Sequence, residues 1–427
     1  MNSQRSGMNQ IISESVFYIT CALTFICAAF HWKFDISYKY IVGDYTDIID
    51  YRFCAAVAAI LIIYFIIKNR KVPFDVELII FLSILLYVGY LDYQAGRNAD
   101  VCYWYILFVA YLLGRVVLGT NYDTATRRIA ILFFALVLGM FTASFLDFSI
   151  NLENGWSYGT EEWPNFISGD VEPRTTYEYG FVLTTSLFGY AVLFFKEKRW
   201  LPLFIVALNV LIQYMVITVE GRENSFMLII SVITVFGLLL LDKYNEFSVG
   251  TKKRLGILLI VLLVIVAIIY MLFVNNFLGL YDLYSNSYLS GSGGIIHNVR
   301  FEMDLDGFRG MLKYPFEDYE AVAGIRRPHS MILEYGRVYN IIVFAGLTVF
   351  RIITFIDVIK LLFMNDGRYR YIKYIIIPAF ININLYYSLE PNGYAHRHFW
   401  MAGLLLCGMI RAYVQIGKRS RISRRVK

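Results

Sequence analysis

The sequence is short of charge. Asp, Glu, Lys and Arg make up 17% of its 427 residues, against about a quarter in average soluble domains. That shortage, beside so much apolar residue, excludes a disordered chain and an ordinary soluble enzyme. Cysteine is scarce as well, with Cys21, Cys27, Cys54, Cys102 and Cys407 making up the full set. Each lies in an apolar stretch and none forms a C-x-x-C pair. A disulfide framework and a zinc site are therefore not indicated, and core packing is expected. The formal net charge of +6 gives no nucleic-acid signal. There is no P-loop, no nucleophile elbow and no H-E-x-x-H. The first apolar run lacks the basic flank and small-residue cleavage pattern of a signal peptide. Internal repeats, low-complexity linkers and a soluble domain are not evident.

What fills the chain is apolar. Hydrophobic residues reach 58%, with 34 Tyr and 34 Phe, and the mean hydropathy is +0.56. A membrane-spanning helix takes about 20 apolar residues. The pattern predicts an all-α polytopic membrane protein, a single integral membrane domain over 1–427. About twelve transmembrane helices are expected, near 11–31, 51–67, 74–92, 101–119, 129–147, 177–195, 200–218, 223–241, 255–275, 330–350, 371–389 and 398–416. The tenth is expected to stop at Arg351, leaving Ile352 to Phe363 as an interfacial run. The N-terminal tail and the loops on its side carry 26 of the 39 Lys and Arg. The positive-inside rule then places both termini in the cytoplasm, together with the basic tail 417–427. Two outer loops are long, about 147–176 and 276–329, and long loops are usually functional. Phe301, Leu305, Phe308 and Leu312 fall at helical spacing in the second, as in a short helix on a membrane surface.

All five histidines fall on the expected outer side, so chemistry is expected there. Arg222 sits in the short turn Gly221-Arg-Glu-Asn224 between two apolar spans. It either pairs with Glu220 or Glu223, or binds a phosphate, whose oxygens match the guanidinium fork. Arg300 is either a surface arginine or a second jaw that closes with Arg222 on a diphosphate leaving group. In Arg326-Arg-Pro-His-Ser-Met-Ile-Leu-Glu-Tyr-Gly336, Pro328 opens a helix and His329 stands at its mouth. His329 is either a satisfied interfacial polar residue or a base for a sugar hydroxyl. Glu334 and Arg337, three apart, are placed to pair with each other, and Arg337 shares a helix face with His329. Glu390-Pro-Asn-Gly-Tyr-Ala-His-Arg-His398 suits helix capping, headgroup contact or acceptor binding. As a metal site its ligand count is incomplete, so no metal is expected. Asp304-Leu-Asp306 is read as surface charge. Glu14, Glu77 and Arg115 lie near span ends, and few ionisable groups are expected inside the spans, which argues against a pump or transporter.

Three of these motifs resemble the superfamily of O-antigen ligases and Wzy-type polysaccharide polymerases. Gly221-Arg222 looks like the family's small-residue–Arg turn at the start of a span. Arg300 looks like its second arginine, on the large loop. Pro-His329-Ser-Met-Ile-Leu-Glu334 with Gly336 resembles its His-Asn-x-x-Leu-Glu run. Ser330 stands where the family usually has Asn, and the turn around Arg222 carries acids where small residues are usual.

The resemblance implies a GT-C-like fold with a large outer loop before the tenth span. It implies a metal-independent glycosyltransferase without cofactor, working on the outer face of the cytoplasmic membrane. The donor and acceptor would be glycans on undecaprenyl diphosphate, set among membrane lipids. Arg222 and Arg300 would bind the diphosphate and His329 would orient or deprotonate the attacking hydroxyl. Arg326, Arg327, Glu334, Arg337 and Arg397 would surround them. A flippase and a chain-length regulator are further partners in that picture, and nucleic acid is not one. Three functions stand: a polymerase of repeat units, favoured by the altered His-Asn motif and ordinary length; a ligase passing finished glycan to another acceptor; and a polysaccharide transporter or flippase without chemistry. The last is disfavoured because the basic residues are expected at span ends.

Overall fold

The computed structural model describes residues 2–30, 51–153, 162–164, 171–173, 179–194, 200–218, 223–243, 250, 271, 299–364, 372–389 and 397–425. These are nearly all helical. Five long helices come first: α1 (Asn2–Ala29), α2 (Tyr51–Asn69), α3 (Val76–Gln94), α4 (Asn98–Val116) and α5 (Tyr122–Glu153). A two-stranded antiparallel hairpin follows, β1 (Glu162–Pro164) with β2 (Val171–Pro173), in register Trp163 opposite Glu172. Then come α6 (Tyr179–Val182), a 3-10 turn (Thr184–Leu187), α7 (Phe188–Phe194), α8 (Trp200–Thr218) and α9 (Glu223–Lys243). The late part holds α10 (Val299–Lys313), α11 (Tyr319–Ala323), α12 (Met331–Val338), α13 (Ile341–Leu362), α14 (Lys373–Leu389) and α15 (Arg397–Arg425).

Six described helices are long and apolar enough to cross a membrane, over Gln10–Ala29, Val76–Gln94, Tyr122–Glu153, Asn224–Lys243, Ile341–Leu362 and Trp400–Ser420. Cys54–Asn69, Trp104–Val116 and Trp200–Val216 are apolar but shorter. The molecule is an α-helical polytopic membrane protein. Its centre is α15: 83% of the apolar 18-residue stretch within Trp400–Ser420 is buried, against 28–50% for the corresponding stretches of the other five spans. A lipid-facing helix keeps apolar residues exposed, whereas a central one buries them against protein. Helices α15 and α4 approach closely, where Gly114 lies against the backbone of Leu405 and Met409, and Gly408 against that of Tyr111. A Cβ at either glycine would collide with the facing helix. Small residues let backbones approach in this way when there is no hydrophobic drive between helices in lipid.

Five expectations need correction. The tenth span does not run 330–350, since the chain breaks at Tyr339–Asn340 and a new helix covers Ile341–Leu362. Asn340 causes the break. Its backbone is extended, and its side-chain oxygen accepts from the amides of Ile342 (3.0 Å) and Val343 (3.2 Å), an N-cap that starts a helix. Ile352 to Phe363 is therefore the second half of α13, not an interfacial run. Nor does Arg351 stop a span: it is the eleventh of the 22 residues of α13. The sixth span, 177–195, is divided by the 3-10 turn. There Thr184, Thr185 and Ser186 bond the carbonyls of Phe181, Val182 and Leu183, three residues back. Three consecutive hydroxyls offer the backbone an alternative to the α pattern. The outer loop expected from 147 also starts later, because α5 runs to Glu153. Apart from Met271, the ninth span, 255–275, lies outside the described residues, as does Arg222. Cys21, Cys27 and Cys54 are buried in the core as expected.

Candidate functional site

Of the residues expected at the site, Arg300 lies on α10 and His329 just before α12, in a layer formed by α10, α11 and α12. The layer is close-packed because α10 turns a glycine face inward. Gly307 sits against Pro328 and the Tyr319 hydroxyl, and Gly310 against the Tyr319 ring and Ile325. Tyr319 and Met311 are fully buried there. Helix α11 is capped by Asp318, which accepts from the Glu320 amide at 3.0 Å. It ends at Gly324, whose φ of +64° is the left-handed cap that glycine tolerates. The opposite face of α10 leaves Leu305, Phe308 and Leu312 exposed, the apolar stripe that the sequence pattern predicted.

One contact ties this layer to His329. Asp304 Oδ1 accepts from the backbone amides of His329 at 2.6 Å and Ser330 at 2.9 Å. Asp304 thereby caps the start of α12 from another helix, while the side chain of Ser330, the N-cap residue, makes no capping bond. The expectation that Asp304 is surface charge is thus corrected. Burial raises its carboxyl above the ordinary range, and the two amide bonds only partly offset that. His329 is half-buried at this junction. Arg300 is the second residue of α10 and precedes Asp304 by one helical turn, about 6 Å along the axis. Arg300 therefore lies one turn before the residue that caps α12, on the same helix.

Arg337 sits just behind. Its Nε and Nη2 bond both oxygens of Glu334, at 2.9 and 2.7 Å. Its Nη1 meets Asp318 and Glu320, each at 2.7 Å. Burial lowers the guanidinium's affinity for its proton, but Glu334 and Asp318 outweigh this and raise it. Glu334 and Arg337 thus pair, one of the two outcomes left open, and Arg337 is already neutralised. Arg327 reaches Glu320 at 3.1 Å from an exposed position. Arg326 is exposed, and Arg397 is the first residue of α15.

The layer is latched onto the bundle by Asp92, which the sequence reading did not single out. Its carboxylate, fully buried, accepts from Trp104 Nε1 (2.7 Å), the Tyr339 hydroxyl (2.9 Å) and Arg97 Nε (2.9 Å). Tyr335 stacks on Tyr339 and packs against Trp104 and Trp400. Asn340 Nδ2 donates to the Tyr87 hydroxyl at 2.9 Å. The clue was available: a lone acid in an apolar span next to Arg97 needs partners.

Charges also meet at the opposite end of the same helices, against the expectation of few ionisable groups inside the spans. Asp75 caps α3 through the Leu78 amide and pairs with Arg115 (2.7 Å) and Arg411 (3.2 Å). Arg411 also reaches Glu77 (3.0 Å) and Asp357 (2.6 Å), both fully buried. Arg351, mid-helix, bonds Asn384 Oδ1 at 2.7 and 3.0 Å.

Comparison with protein-family models gives no match, and comparison with curated proteins gives none either.

Proposed function

We propose that this protein is a polymerase of lipid-linked oligosaccharide repeat units, built on about twelve spans with a GT-C-like arrangement and both termini cytoplasmic. It transfers glycan from one undecaprenyl diphosphate to an acceptor sugar hydroxyl on the outer face of the cytoplasmic membrane. The observation that carries the reading is the Asp304 contact, which fixes the turn of His329 against the helix that bears Arg300. The acceptor oxygen bonds to the anomeric carbon as the bond to the lipid diphosphate breaks. His329 takes the hydroxyl proton. Arg300 and Arg222 stabilise the charge on the departing diphosphate. Arg326 and Arg327, exposed at the rim, add positive potential for an anionic lipid. Arg337 and Glu334, closed on each other, hold α12 in shape.

The test is deletion in the native strain, followed by sizing of surface and lipid-linked glycans. Loss of long chains with accumulation of single repeat units is expected, and Ala at Arg222, Arg300 or His329 reproduces it. Long chains stranded on the lipid carrier would instead identify the ligase. Arg351 favours a transporter, because a mid-span cation held by the Asn384 side chain, unlike Arg411 with its carboxylates, suits a path for an anion. If Ala at Arg222, Arg300 and His329 leaves the glycans intact while Arg351→Ala removes them, the transporter reading replaces the polymerase.

A further inference from the structure

The short turn between α2 and α3 forms one wall of a second polar feature, far in sequence from His329. Asn69 Nδ2 ties the turn to the last carbonyls of α4, bonding Val116 O at 2.9 Å. Arg70 adopts the left-handed conformation, φ +49°, which is sparsely populated by non-glycine residues and is found at ligand clamps. The next residue, Lys71, is thereby turned toward α15, where its Nζ donates to Gln415 Oε1 at 3.3 Å. Gln415 is held in that orientation because its Nε2 donates to Asp75 at 2.6 Å.

A cleft of about 430 Å³ opens at this point, lined by Lys71, Val72, Pro73, Phe74, Gln415, Lys418 and Arg419. One water needs about 10–15 Å³ of such space, so the cleft has room for a phosphodiester headgroup with several waters. Three of the seven lining residues are cations, and among the described residues no carboxylate lines the cleft. Asp75, the nearest acid in the chain, is engaged by Arg115, Arg411 and Gln415. The like charges are felt: burial first, then Arg419 and Arg115, bring the Lys71 ammonium down to about 8. Val72 and Phe74 are 63% and 73% exposed at the rim. They lie at the end of apolar spans, where exposed apolar side chains meet acyl chains.

We propose that this cleft is a binding site for the phosphate headgroup of an anionic phospholipid, with Lys71, Lys418 and Arg419 on the phosphate and Val72 and Phe74 against the lipid chains. Basic pockets between spans at a membrane surface bind such headgroups, and each cation is worth about fivefold in affinity. The occupant is a lipid and not free phosphate because the rim is apolar and sits beside the bilayer. Occupancy would brace the α2–α3 turn against α15. The site is independent of the glycan reading and stands or falls without it.

The test uses the full chain in an equimolar mixture of phosphatidylcholine and phosphatidylglycerol, with bound lipid read by native mass spectrometry. Phosphatidylglycerol retained over phosphatidylcholine supports the site. Lys418→Gln and Arg419→Gln, both exposed, each lower the retention about fivefold. The charge-keeping pair Lys418→Arg and Arg419→Lys retains it. Equal retention of the two lipids, or a Gln pair that behaves as wild type, overturns the proposal. So does release of the adduct by added inorganic phosphate at ordinary concentration, which would make the cleft a site for the free anion.

Discussion

At one end of the bundle Arg337 meets Glu334, Asp318 and Glu320, all within 19 positions of it. At the other, Arg411 meets Asp75, Glu77 and Asp357, on or beside two other helices and up to 336 positions away. In each cluster a central arginine meets three carboxylates, with further cations at the edge (Arg327 on Glu320 in the first, Arg115 on Asp75 and Lys360 on Asp357 in the second), yet they do different work. The acids around Arg337 are mixed: Glu334 is dry, but the side chains of Asp318 and Glu320 are 37% and 39% exposed. Around Arg411, Glu77 and Asp357 have no exposure at all. The first cluster sets the shape of one layer, and the second joins α3, α13 and α15.

The largest expected effect follows from that difference. Arg411→Ala strands the dry Glu77 and leaves the dry Asp357 to Lys360 alone, and should cost about 3–5 kcal/mol, as when one partner of a buried pair is removed. Arg337→Ala strands one, with water taking over the other two, and should cost about 2 kcal/mol. Thermal unfolding of both variants in detergent measures the gap. Equal losses would mean that exposure at the Asp318–Glu320 side does not matter, and the comparison would fail.

The next effect is smaller and sharpens the contrast through pH. Burial alone would raise the Asp75 carboxyl, but hydrogen bonds from Arg115 and the Leu78 amide and the nearby guanidinium charges hold it at about 2. A depressed acid stabilises the fold above its unfolded value near 3.8, and that stability, about 2 kcal/mol, is lost as pH falls toward about 2. Asp304 runs the other way. Its carboxyl is raised by burial, so the folded state binds its proton first and gains stability as pH falls. Unfolding followed from neutral to acid pH should therefore show a loss that Asp75→Asn flattens. Asp304→Asn should leave that loss in place or deepen it.

The same contrast explains what was legible in the sequence. Hydropathy found α2, α3, α4, α8 and α9 within a few residues, because a bilayer span is a property of composition along one stretch. It failed at Asn340 and at Thr184-Thr185-Ser186, where single side chains bond the backbone and redirect it. No sliding average sees a cap. At the site, the Glu334–Arg337 pair was open to reading because three positions put two residues on one helix face. Asp318 and Glu320 were not, since they reach Arg337 only once α11 folds back under α12. Arg411 with Asp75 was further still from view, because nothing local links α15 to the start of α3.

Asp304→Ala is the smallest change in stability and the most telling for the site. It removes an acceptor from two amides at the start of α12, a loss of about 1 kcal/mol on the scale of other helix caps. Relief of the buried charge offsets part of it, so unfolding should move little. On the proposed polymerase function, activity should move far more. With its cap gone, the turn at His329 shifts relative to α10 and to Arg300, and misplacing a reacting group by about 1 Å costs about 100-fold in rate. Asp304→Asn keeps a side-chain oxygen for the same amides and should retain most activity. Rates of glycan extension in the two variants, set beside their unfolding, separate positioning from folding. An alanine variant that extends chains at the normal rate, while His329→Ala does not, would detach α10 from the chemistry and leave His329 to be positioned by α12 alone.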